Sequence, residues 1–195
     1  MGQAVFETTA TTYVSPDDYL RLECESIEKH EYFYGEIRAM AGASYAHNRI
    51  CANMTVAIGS QLRGKSCSVV GSDQRLQILS GSAYMYPDVT VVCGKPEFNE
   101  SRKPETLLNP TLLVEVLSES TADKDRSEKF MLYRQLPSLQ QYLMLDSRTC
   151  HAELYTRQPN DYWLFMETRD PAAVLDLSSI ACQVLLAEVY QGMQP

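Results

Sequence analysis

From His47 onward the apolar positions are Ile50, Cys51, Met54, Ala57, Ile58 and Leu62. Steps of three and four place them on one helical face, and Gly64 stands where a C-terminal cap belongs. Earlier, SPDDYLRLE predicts a helix entered through Ser15 as N-cap, with Pro16, Asp17 and Asp18 in its first turn. EYFYGEIRAM sets aromatic and β-branched residues around Gly35 and predicts a hairpin or bent strand. CSVVGS and RLQIL predict short strands before a turn at Gly81, and YPDVTVVC a further strand opening at Pro87-Asp88. Residues 94–110 form a polar, proline-punctuated loop. TLLVEVLS and LQQYLMLD are nearly continuous in aliphatics, as strands buried on both faces must be. Between them STADKDRSEKFMLYRQL predicts a helix that Ser120 or Thr121 can cap. HAELYTR and DYWLFME predict a hairpin, and a final strand and helix close an α/β chain.

Composition adds bounds. The 195 residues fit a single domain with a sizeable core, read here as 15–195 after a flexible lead-in at 1–14. The lead-in has neither the basic nor the long apolar region of a secretory signal, and Phe6 stands where myristoylation needs Ser or Thr. No apolar run approaches the roughly 20 residues of a membrane span. A cytoplasmic location is expected. Six cysteines without a C-x-x-C pair favour buried, reduced thiols over disulfides or zinc. A net charge of −8 excludes a broad basic face, so any nucleic-acid contact must come from a local groove.

GSQLRGKS, residues 59–66, matches G-x-x-x-x-G-K-[ST] at every position. A phosphate-binding loop needs a strand before the first glycine and a helix starting at Lys-Ser. Here the predicted helix comes first and a strand follows. The match is read as a helix C-cap that resembles the motif by chance, with no nucleotide bound.

The chemistry gathers elsewhere. Asp88 begins YPDVTVV, Glu115 lies 27 residues later inside TLLVEVLS, and Lys129 follows 14 residues after that. A carboxylate among leucines and valines needs a cation, a donor or a metal, because burial disfavours its charge. An ion pair with Lys129 or Arg126 would meet that need; so would a metal. Asp125 is placed to pair with Lys129 at i,i+4. If the strands of Asp88 and Glu115 are neighbours, two carboxylates about 4 Å apart repel by roughly 4 kcal/mol at an effective dielectric of 20. A divalent cation reverses that sign, and Mg²⁺ suits one or two carboxylates plus phosphate oxygens.

Pro87-Asp88 followed by the strand VEVLS resembles the PD-(D/E)XK nuclease superfamily, with Asp88 and Glu115 as its two acids. The ordered set GEI, AHNRI, YPDVTVV, LLVEVLSEST, D-x-x-x-K-x-x-x-Y and QYLMLD is similar to a bacterial family described as putative restriction endonucleases. The resemblance spans about residues 16 to 190. It implies a restriction-endonuclease-like core, a mixed central sheet flanked by helices, and an Mg²⁺- or Mn²⁺-dependent cleavage of duplex DNA by a homodimer. A nuclease-derived module that binds or assembles without cutting is the alternative. The superfamily lysine belongs two residues after the acid, where this chain has Leu117. Some branches move it to the following helix, which makes Lys129 the candidate, with Asp125 and Tyr133 on the same helical face. Glu36 takes the family's G-E position, as an accessory acid. His47 could meet a phosphate, or cap and pack; Asp73 could face the same cleft. Arg75, Lys124 and Arg126 are candidates for phosphate contacts.

Overall fold

The Ser15 hydroxyl accepts from the Asp18 N–H and opens α1, Pro16–Glu25, as its capping pattern predicts. The computed structural model describes residues 13–99, 105–118 and 125–193, without the side chains of 125 and 126. Strands β1, His30–Phe33, and β2, Glu36–Ala39, form the expected hairpin. Its turn sets Tyr34 and Gly35 at positive φ (45° and 101°), the primed geometry that suits a two-residue hairpin loop. A Cβ on Gly35 would lie 2.2 Å from the Tyr13 ring, so glycine is needed there twice over. Helix α2, Tyr45–Leu62, is capped by Ser44, whose side chain accepts from the His47 N–H.

Next come β3, Cys67–Gly71; β4, Leu76–Ile78; β5, Ala83–Met85; and β6, Val89–Cys93. The stretch predicted as a plain loop contains two short strands, β7, Phe98–Asn99, and β8, Thr106–Leu107. They form because Leu107 pairs with Leu76 and so extends an existing sheet edge. Strand β9, Leu112–Leu117, is followed by a π-type turn, Asp125–Lys129, and by α3, Phe130–Tyr133. The Ser120 or Thr121 cap lies outside the described residues. Then follow β10, Gln141–Asp146, and the hairpin of β11, Ala152–Arg157, with β12, Trp163–Thr168. Where one closing strand was expected there are two, β13, Val174–Leu177, and β14, Cys182–Leu185, before the short α4, Leu186–Val189.

The central sheet is mixed, in the order β12-β11-β10-β9-β6-β3, with β9 and β10 parallel and β6 antiparallel to β9. A smaller sheet runs β2-β1-β5-β4-β8-β7. Alternation along β9 decides what each face meets. Val114 and Val116 join the core under α2 with Ile50, Met54 and Ile58. Leu113 and Leu117 join the opposite core, with Leu132 and Tyr133 of α3 and with Phe33, Leu76 and Met85 of the smaller sheet. Glu115 falls between Leu113 and Leu117 and so points into this second core. The architecture is a mixed sheet with helices on it, as the resemblance implies.

At the end of α2, Gly64 adopts φ +77° and the Lys65 N–H returns to the Leu62 carbonyl, so residues 59–66 close a helix that β3 then follows. The order is the reverse of a phosphate loop, and Lys65 Nζ donates to the Ala181 carbonyl. The cysteines need a correction. Cys67 and Cys93 face one another across β3 and β6 and are joined in a disulfide, with Cα atoms 3.9 Å apart. The neighbouring pair Ser66 and Gly94 is hydrogen-bonded, so the cysteines occupy a non-hydrogen-bonded position, where side chains come closest. Strand register, not spacing along the chain, brings them together. Among the described residues no helix is long and apolar enough to cross a membrane.

Candidate active site

Glu115 is 3% exposed, at the centre of an apolar strand. Its charge is met from the following helical segment. Lys129 Nζ donates to Oε1 at 3.1 Å and the Tyr133 hydroxyl to the same oxygen at 2.7 Å. Lys129 and Tyr133 are one helical step apart, as the D-K-Y spacing predicts; the side chain of Asp125 lies outside the described residues. Burial first, then the Glu115 carboxylate, hold the Tyr133 phenol well above its ordinary pKa, so it remains a donor. Tyr133→Phe therefore strips one hydrogen bond from a buried carboxylate. It is expected to cost about 1.5–3 kcal/mol, read as a lower urea midpoint at unchanged slope.

Asp88 sits at the open end of the β6–β9 ladder. The last registered pair is Val89 with Val114, so Asp88 and Glu115 are the next residues outward on their two strands. Asp88 Oδ2 accepts from the Val116 N–H at 2.7 Å and lies 3.1 Å from His47 Nε2. One oxygen is thus tied to the strand and to α2. Cys51, one turn further along α2, places Sγ 3.6 Å from His47 Nδ1. Burial, then Asp88, then Glu115 push the Cys51 thiol up, which sets both carboxylates within electrostatic reach of one sulfur.

A second acid reaches Lys129 that spacing alone did not single out. Glu31 Oε1 lies 3.0 Å from Lys129 Nζ, so the ammonium is held between β1 and β9. Glu36 goes elsewhere. Cross-strand pairing sets Glu31 opposite Arg38 and Phe33 opposite Glu36, all on one face of the hairpin. At the turn end, the Arg38 guanidinium covers the Phe33 ring and binds both Glu36 and Glu128. Glu36 is half exposed in this rim, beside a cavity of about 550 Å³ lined also by Tyr13, Tyr34 and Met131. The hairpin's period of two was the available signal for Glu31, since it shares the inward face with Phe33.

Asp73 is on the exposed turn after β3, held by Lys29 at 3.0 Å. Arg75 cannot meet a phosphate backbone as expected: it is fully buried, with Nε donating to Thr106 Oγ1. Lys124 and the side chain of Arg126 lie outside the described residues. The constellation that forms is Asp88, Glu115, Glu31, Lys129, Tyr133 and His47. Glu31 and Glu115 flank the lysine, and Asp88 stands beside Glu115 at the end of the neighbouring strand, so the site is rich in hard oxygen donors.

The family model described as "Putative restriction endonuclease", Uma2, matches residues 16–186. The chain belongs to the Uma2 family. Two uncharacterised proteins of Synechocystis sp. resemble this Uma2 chain over most of their length. One is 35% identical, covering 92% of this chain and 93% of its own; the other is 34% identical, covering 86% and 94%. The fold is also that of a crystal structure from Anabaena variabilis, described as a putative nuclease belonging to DUF820. It superposes with a TM-score of 0.68 over 91% of this chain and 97% of its own, at 16% identity. The restriction-endonuclease-like fold of the Uma2 chain agrees with that likeness.

Proposed function

We propose that this Uma2 protein is an Mg²⁺- or Mn²⁺-dependent DNA endonuclease that hydrolyses phosphodiester bonds at Asp88, Glu115 and Lys129. One observation carries the reading. Lys129, on the segment after β9, brings its ammonium 3.1 Å from Glu115 Oε1, which gives the acid the lysine partner that its own strand lacks. Leu117, the position where the superfamily pattern places lysine, is 1% exposed and packed into the second core. A lysine there would enter that core, so the ammonium comes from the helical segment instead.

In this reading the ion, when bound, polarises a phosphoryl oxygen and lowers the pKa of a bound water. Asp88 and Glu115 hold it. Val116 N–H and His47 fix the Asp88 carboxylate, and Tyr133 and Lys129 fix that of Glu115. Lys129 also offers a donor to charge that develops on the phosphoryl group. Glu31 steadies Lys129 from the other side and takes the accessory role, with Glu36 acting on the rim through Arg38. Cutting both strands of a duplex takes one site per strand, so a homodimer belongs to the proposal.

The test is nicking of supercoiled plasmid with Mg²⁺ or Mn²⁺ against a chelator control. Binding to a labelled duplex should weaken linearly in log–log form as salt rises, with a slope of about −0.9 for each phosphate neutralised. A salt-independent interaction would count against direct DNA recognition. Salt-dependent binding with no metal-dependent nicking would favour the non-cutting module.

A further inference from the structure

Three donors of different chemistry meet beside the carboxylate site. His47 and Cys51 stand at i and i+4 on α2, and Asp88 approaches from the start of β6. One ligand atom from each lies within 4.8 Å of the other two, and all three residues are half buried. An ion can reach them, yet they are sheltered from bulk water. The backbone that carries them is held in place, because α2 is capped by Ser44 and anchored by Ile50 and Met54 in the core, while the Val116 N–H holds one Asp88 oxygen.

We propose that His47, Cys51 and Asp88 form a binding site for a borderline transition-metal dication, Zn²⁺ by preference, with its fourth position open. Metal–ligand distances of about 2.0–2.3 Å in a tetrahedron set neighbouring ligand atoms roughly 3.4–3.6 Å apart. Cys51 Sγ lies 3.6 Å from His47 Nδ1 and Asp88 Oδ2 lies 3.1 Å from Nε2, so the imidazole stands between the other two donors. It must rotate for one of its nitrogens to join them on the ion; one ligand atom from each residue already lies within 4.8 Å of the others. Thiolate and imidazole select against Mg²⁺, which demands oxygen ligands, so this site and the carboxylate site take different metals. On binding, the Cys51 S–H bond breaks, its proton goes to solvent, and the thiolate pair forms the S–Zn bond. The two sites share Asp88. Zn²⁺ would draw that carboxylate toward α2 and inhibit Mg²⁺-dependent cleavage, a consequence that rests on the nuclease reading; the site itself does not.

Co²⁺ is the probe, because cobalt–thiolate bonds give a near-ultraviolet charge-transfer band and tetrahedral Co²⁺ gives intense visible bands. The full-length chain titrated with Co²⁺ should develop both, saturating at one ion per chain. Zn²⁺ should abolish them and excess Mg²⁺ should not. Cys51→Ala should lose the charge-transfer band and His47→Ala should weaken binding by more than about tenfold. Cys150→Ala should keep the band. Circular dichroism and the urea midpoint show which variants remain folded. Absence of the band in the unaltered chain, or its survival in folded Cys51→Ala, overturns the site. If the band behaves as expected but Zn²⁺ leaves plasmid nicking untouched, the shared use of Asp88 is overturned and the site stands. If the chain nicks no plasmid at all, the nuclease reading fails while the cobalt spectrum still decides this proposal.

Discussion

Asp88→Asn is expected to abolish metal-dependent plasmid nicking, with a fall of at least about 10²–10³-fold, the scale lost with a single electrostatic contact to the reacting centre. Asparagine is the informative replacement. Asp88 Oδ2 accepts from the Val116 N–H, and an amide oxygen can keep that bond while the charge that holds a cation is gone. Asp88→Ala removes both, so a loss confined to alanine would point to the strand end and not to the metal. An unchanged urea midpoint in Asp88→Asn separates chemistry from folding. Nicking that persists in both variants would place the activity at another site, or in a contaminant.

Lys129→Met is expected to be the most damaging change to stability. Its ammonium stands between Glu31 at 3.0 Å and Glu115 at 3.1 Å, and all three side chains are nearly enclosed, at 10%, 13% and 4% exposure. Removing one partner from such a pair leaves charge without compensation and costs about 3–5 kcal/mol, well beyond the value of an exposed ion pair. The measurement is urea unfolding with and without millimolar Mg²⁺. Because a dication binds the folded form, it should restore part of the lost midpoint. A midpoint close to that of the parent chain would show that Glu115 does not depend on the lysine for its support.

Much of this was legible in the sequence because it depends on short-range rules. The Ser15 cap, the apolar face of α2 and its glycine stop are local, and each lies where its pattern places it; the start of α2 was read at His47, whereas Ser44 caps it and it begins at Tyr45. Glu115 stood out because a single acid in an unbroken aliphatic strand must find a partner, and Lys129 was one of the two cations named for it; that Tyr133 also bonds it came from the structure. What could not be read depends on pairing between distant strands. Phe33 opposite Glu36 puts that acid at the turn, and leaves Glu31 to reach the lysine. Cys67 opposite Cys93 converts two scattered thiols into a bridge. Arg75 looked like a surface cation because nothing around it in sequence announces burial; the approach of β8 encloses it. Cys51 read as one more apolar position on a helix, since its neighbour Asp88 is 37 residues away.

Lys129 is gripped by one acid from the hairpin sheet and one from the central sheet. A single ammonium therefore acts as a rivet between two layers that the chain builds separately. Any slack that lets the hairpin swing outward pulls on the nitrogen that the proposed mechanism sets against the phosphate, so under that proposal the tightness of a remote turn is felt at the reacting centre.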